Sequence, residues 1–226
     1  VNGAGPTQLG VFAKYWEPGA VKTRLAATVG AALAAEFHHR CLAVLLRRFQ
    51  TCGDHRVLGF TPAAHRDAFQ ALAGPPWELQ PQGAGDLGAR MRGYFHAAFS
   101  QGYHRVVLIG SDSPHLRVPV VEAAWEALNT VPVVLGPSCD GGYYLIGGRP
   151  DMPEVFQDVA WGTAAVLRET LRLIKSGGGD WRLLETSFDV DTIDDVARLV
   201  AELERHPPSD MASLRRVCDR CLLASE

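Results

Sequence analysis

"VVLIGSDSPHL", residues 106–116, is the stretch on which the fold turns. Four apolar residues, three of them β-branched, run without alternation into Gly110, the pattern of a strand buried on both faces. The first ionisable group after them is Asp112, and Pro114 limits how far the following loop can swing away. A partly desolvated carboxylate at a strand end is costly unless a cation compensates it, and a divalent metal with a phosphate is one such partner. The plainer alternative is that Asp112 caps a following helix.

Working outward, other runs of strand length are "LGVFA" (9–13), "HRVLGF" (55–60), "WELQ" (77–80), "VPVVLG" (131–136), "YYLIGG" (143–148) and "RLLETSF" (182–188). Stretches of helical period fall between them at 24–50, 63–73, 87–100, 117–129 and 163–175, and 192–205 follows the last strand. The alternation predicts an α/β domain, a largely parallel sheet with helices on both faces, whose ligand lies beyond the carboxyl ends of the strands. Thr192 and Asp195 form a capping-box-like pair ahead of the stripe Ile193, Val196, Leu199, Val200, Leu203. "MASLRRVCDRCLL" predicts a C-terminal helix within 209–226, and residues 1–8 read as a loose leader.

The 226 residues suit one domain over 1–226, and a net charge of −3 offers no general attraction for nucleic acid or anionic membrane. No apolar run is long enough to span a bilayer and no signal-like segment opens the chain, so the expected compartment is the cytoplasm. Five cysteines, at 41, 52, 139, 218 and 221, do not form a secreted disulfide framework. "CDRC" (218–221) lacks the second pair that a zinc site needs. His38-His39 reads as a surface pair in mid-helix. A homodimer is neither required nor excluded.

Five segments could carry chemistry. "FAKYWEPGAVKTRLA" (12–26) bends at Pro18-Gly19 and brings Lys14, Lys22, Thr23 and Arg24 to a helix start, where basic side chains and orphan amides favour phosphate; the alternative is an exposed loop with solvated lysines. In "LQPQGAGDLGARM" (79–91), Gln80 or Gln82 could read a nucleobase edge and Gly85 admits a ligand close to the backbone, while Asp86 could be only an N-cap. Asp112 is the third. In "GPSCDGGYYLIGG" (136–148), Asp140, Gly141 and Gly142 form either a plain hairpin turn or an acceptor site with open backbone donors, Tyr143 and Tyr144 lying on opposite strand faces. In "FDVDTIDD" (188–195), Asp189 and Asp191 point to one side of an extended chain and stay ionised most easily beside a cation. With Asp112 they could complete an all-oxygen Mg2+ or Mn2+ site, although Asp191 could instead help cap the next helix. Trp161, ahead of Thr163 as the expected N-cap of the 163–175 helix, reads as a core aromatic or a wall of the acceptor pocket.

"FAKxxxxGxVKTRLA", "GDLGxRM", "LIGSDSPHL", "LGPxxDGGYYLIG" and "FDVDTxxD", in that order over about residues 9–200, resemble small GT-A-fold transferases, the radical-SAM/selenodomain-associated or arsenosugar-biosynthesis glycosyltransferases of the nucleotide-diphospho-sugar transferase superfamily. The resemblance implies a Rossmann-like three-layer α/β/α domain. It implies Lys14, Lys22 and Arg24 on phosphates, Gln82, Gly85 and Asp86 near base and ribose, and Asp112 on a divalent metal with help from Asp191 or Asp189. Two departures stand out. Tryptophan and glutamate occupy the first loop, and "SDS" supplies one aspartate where many glycosyltransferases have a DxD pair, an arrangement similar to nucleotidylyltransferases. The expected function is metal-dependent transfer from a nucleotide-diphospho-sugar to a small acceptor. The alternatives are nucleotidylyl transfer from an NTP with release of pyrophosphate, and nucleotide binding without turnover.

Overall fold

Along β4 (Arg105–Gly110) the side chains divide by parity: Val107 and Ile109 enter one core cluster, Val106 and Leu108 another on the opposite face. An unbroken apolar run is what such a two-faced strand requires. The computed structural model describes residues 5–205 and 211–225. In it β4 lies between β1 (Thr7–Lys14), parallel, and β6 (Tyr143–Gly148), antiparallel. With β2 (His55–Thr61), β3 (Glu78–Pro81), β5 (Val133–Pro137) and β7 (Trp181–Leu183) they form a seven-stranded sheet of order β3-β2-β1-β4-β6-β5-β7. Only the two pairings made by β6 are antiparallel.

Helices cover both faces, giving the expected three layers. α2 (Ala31–Arg48), α3 (Arg66–Ala73) and α5 (Val118–Ala127) pack Leu45, Phe69 and Trp125 on one face. α4 (Leu87–Ser100) and α6 (Val166–Ser176) pack Phe95 and Ile174 on the other. The outer side of α2 carries a third cluster, in which Phe37, Cys41 and Val44 meet Leu25 of α1 (Thr23–Val29), Leu199 of α7 (Ile193–Arg205), and Leu214 and Val217 of α8 (Ala212–Leu223). The capping box forms: Asp195 Oδ2 accepts from the Thr192 amide at 2.9 Å and hydroxyl at 2.7 Å. No helix among the described residues is long and apolar enough to cross a membrane.

Several local expectations are corrected. Thr7 and Gln8 are buried parts of β1, tied to Asp54 and Tyr94, so the expected leader does not extend to residue 8; residues 1–4 of it lie outside those described. The helix expected over 24–50 breaks at Gly30, whose φ of 86° with ψ of 152° no side-chain-bearing residue adopts comfortably. The strand expected over 182–188 is regular only to Leu183; beyond it the chain keeps isolated backbone bonds, the Leu184 and Ser187 amides donating to the Leu135 and Pro137 carbonyls. Ala165, not Thr163, precedes α6, and the Thr163 hydroxyl is turned to the Ala160 carbonyl. The 206–210 part of the segment leading to α8 lies outside the described residues.

Candidate active site

The carboxyl ends of β1, β4 and β5 and the start of β6 share one sheet end, and the five segments singled out above all emerge there. Asp112 does not cap a helix: α5 opens at Val118 after Arg117, which makes no side-chain cap. Its carboxylate meets the Lys22 ammonium, and the same Nζ donates to Asp191 Oδ1 at 2.9 Å. Arg24 Nη2 donates to the other oxygen of Asp191 at 2.6 Å. The Lys22 side chain is 2% exposed, whereas Asp112 retains 41% of its surface toward the cleft. Lys22 also adopts the left-handed backbone conformation, φ 47° and ψ 45°, which is rare for a non-glycine residue.

The electrostatics follow from that geometry. Burial disfavours the charged form of Lys22, but Asp112 and Asp191 outweigh it and raise its pKa. Burial likewise works against the Asp112 carboxylate, and Lys22 with His38 holds it below its ordinary value. Among the described residues Asp189 has no such cation in contact. Burial, reinforced by the charge on Asp112, pushes it up to about 6 in spite of a 2.5 Å hydrogen bond from Ser113 Oγ.

Two chambers meet at this cluster. The first, about 490 Å³, is lined by Lys14, Lys22, His38, Gln82, Arg90 and Asp112, among others. The second, about 510 Å³, is lined by Arg24, Ser138, Asp140, Gly142, Trp161 and Ala164. Asp189, Asp191, Tyr143 and Leu87 belong to both walls. Asp140 is anchored through one oxygen: Oδ1 takes the Ser138 hydroxyl and, at 3.0 Å, the Gly142 amide.

Other expected site residues are placed differently. Lys14 Nζ donates to the Ala20 carbonyl at 2.8 Å and braces the loop that turns at Gly19, where φ is 82°. Asp86 is occupied as the N-cap of α4, accepting from the Ala89 amide at 2.8 Å, and Gly85 accepts from Arg90 through its carbonyl; neither lines a chamber. Gln82 donates to the Gly59 carbonyl at 2.9 Å, which uses the donor edge expected to read a base, and Gln80 lines a side pocket of about 190 Å³ with it. Gly19 and Thr23 also line neither chamber, and Gly141 forms the turn itself, with φ 91° and the Ala164 carbonyl where a Cβ would stand. Among the described residues no three or more His, Cys, Asp or Glu side chains converge as a metal cage. The expected trio therefore separates: Asp112 and Asp191 share Lys22, and Asp189 turns to Ser113.

A sequence-family model described as "uncharacterized protein conserved in bacteria (DUF2064)" matches residues 45–163. The chain belongs to this family. The DUF2064 chain is also similar, at 33% identity and a TM-score of 0.89 over 97% of both chains, to a Desulfovibrio desulfuricans G20 protein whose crystal structure is provisionally described as a nucleotide-diphospho-sugar transferase. Its fold is shared more distantly by 4-diphosphocytidyl-2C-methyl-D-erythritol synthase from Anaerococcus prevotii, at TM-score 0.59, 10% identity and 88% and 96% coverage. CMP:2-keto-3-deoxy-manno-octonic acid synthetase in complex with CTP shares it at TM-score 0.55, 14% identity and 88% and 99% coverage. No curated protein matches the sequence.

In this DUF2064 protein three contributors escaped the sequence reading. His38 is buried, not surface-lying: its Nε2 lies 3.0 Å from the Lys14 carbonyl, and its Nδ1 has no hydrogen-bond partner and faces Asp112 at 3.8 Å. Its spacing to Cys41, Leu42 and Leu45 is that of a buried helical stripe, a signal that was available. Ser113 acts on Asp189 across 76 positions, which no local pattern announces, whereas Arg90 bonds Gly85 and Gln82 within the 79–91 segment itself and was overlooked there.

Proposed function

We propose that this protein is a nucleotide-dependent transferase that moves a glycosyl group from a nucleotide-diphospho-sugar to a small acceptor. The observation that carries the reading is the Lys22 ammonium held between Asp112 and Asp191 where the two chambers meet. The 33%-identical relative described as such a transferase supports it. The diphosphate would lie in the first chamber against Lys14 and Lys22, with Arg24 on the second-chamber side of Asp191. α1 has only seven residues and no side-chain cap, so the side-chain cations supply more of the attraction than the helix end does.

Two carboxylates suit Mg2+ (or Mn2+), which keeps waters and takes phosphate oxygens for its remaining positions. Asp112 and Asp191 would hold it, sharing their charge with Lys22, and the ion would offset charge on the departing diphosphate. In the transfer, the donor C1–O bond breaks and the nucleoside diphosphate leaves with the electron pair. A bond forms from C1 to an acceptor hydroxyl, whose proton passes to Asp189 at the shared wall. The protein's contribution is positioning and charge placement.

The test is to incubate the protein with Mg2+ and each nucleotide-diphospho-sugar and NTP, and to assay free nucleoside diphosphate and pyrophosphate. Nucleoside diphosphate release, lowered about 100-fold or more in Asp112→Asn, is the expected result. Pyrophosphate from an NTP with no nucleoside diphosphate would replace glycosyl with nucleotidylyl transfer. Nucleotide-induced stabilisation without either product would leave a binding protein.

A further inference from the structure

The two chambers differ in charge. Asp189 and Asp191 belong to both, but in the first they are joined by Asp112 and balanced by the cations Lys14, Lys22 and Arg90, whereas in the second they are joined by Asp140 and met by one lining cation, Arg24, already bonded to Asp191. We infer that the second chamber takes an uncharged polyhydroxyl or amino compound, such as a glycoside or amino-glycoside, and rejects phosphorylated and carboxylated acceptors. The inference rests on the transferase reading only for calling this ligand the acceptor.

Three features support that ligand class. An anionic group in the second chamber would face carboxylates with, among the described residues, no lining cation other than the Asp191-bound Arg24, and juxtaposed like charges disfavour binding. Among the described residues the side-chain hydrogen bonds to Asp140, from Ser138 and Gly142, go to Oδ1, so Oδ2 remains an acceptor held in place by the turn, suited to hydroxyl or ammonium donors. Trp161 stands on the same wall, edge-to-face with Tyr143 at 6.5 Å between centroids, and gives the apolar face of a sugar ring or an ammonium something to pack on. Gly141 lets the wall close up, since a Cβ there would collide with the Ala164 carbonyl.

Ligand-observed NMR titrations of the whole protein with four matched probes test the inference: methyl glucoside, its 2-amino analogue, its 6-phosphate and the methyl glucuronide. The neutral and amino probes should bind at least about tenfold more tightly than the two anions. Ala164→Trp, which fills the chamber, should abolish their signals, and Asp140→Asn should narrow the discrimination at least about threefold. Equal or better binding of the phosphate or carboxylate, no binding by any probe, or signals that survive Ala164→Trp would overturn it. Nucleoside diphosphate binding in the first chamber is followed separately by thermal shift. Its loss with glycoside binding intact would count against the transferase reading and leave this inference standing.

Discussion

Lys22 shows how one residue can be both the most constrained and the most consequential in a site. It is buried, in a left-handed backbone conformation, and between two carboxylates. Lys22→Met removes the cation but not the charges it compensates, so Asp112 and Asp191 are left facing one another. Because Asp112 is only half-buried, the loss should be discounted to about 1–3 kcal/mol rather than the larger figure for a fully buried pair, read as a lowered urea midpoint. An unchanged midpoint would show that the pair does not hold the loop. Asp189 gives a prediction of opposite sense. Its folded carboxyl titrates at about 6 against an ordinary 3.8, so between those values the folded chain holds more proton than the unfolded one. Stability therefore falls as pH climbs through this window, and Asp189→Asn should remove about 1–3 kcal/mol of that fall, visible in denaturation curves at pH 4 and pH 7. A variant with the wild-type slope would assign the fall to another group.

At the scale of elements, short-range chemistry decides the ends and tertiary context decides the rest. The α7 start was legible because Thr192 and Asp195 satisfy orphan amides within one turn. Thr192→Val should cost about 1 kcal/mol, measured by chemical denaturation, with little effect if the Asp195 carboxylate alone suffices. The β5–β6 hairpin was equally legible from Asp140-Gly141-Gly142, but what Gly141 faces was not. With φ at 91° and the Ala164 carbonyl against it, Gly141→Ala should lose about 1–3 kcal/mol and weaken ligand binding in the second chamber; an unperturbed melting temperature would mean that the 160–165 loop yields freely. Gly30 was invisible as a break because the apolar period continues across it from α1 into α2, and a glycine inside a helical pattern has no single meaning.

For the whole molecule, α2 is the shared element: Leu42 and Leu45 face the sheet, while Phe37, Cys41 and Val44 face α7 and α8. Loosening the outer cluster should therefore propagate to the sheet. Leu214→Ala, which opens a cavity beneath α8, should lower stability by about 2–4 kcal/mol in one cooperative transition. A separate early transition, with β-sheet signal retained, would show that α7 and α8 unfold independently. The same packing explains "CDRC": Cys218 and Cys221 are buried among apolar side chains of that cluster, on α8, and are disposed as small core residues rather than as a metal pair.

The sequence by itself determined the layers, the strand count and the sheet end at which chemistry gathers, because burial on two faces imposes a continuous apolar run and burial on one imposes a helical stripe. Those signals are local and survive in a single chain, as β4 and α7 show. Only the tertiary structure decided which carboxylate keeps company with which cation. Lys22 reaches Asp191 across 169 positions and Ser113 reaches Asp189 across 76, and no periodicity encodes partners so far apart. The division of the cleft into a charge-balanced chamber and one with an excess of carboxylates was likewise decided by the fold. Charge in a cleft is set by which loops converge, and convergence follows from strand order rather than from any one loop's residues.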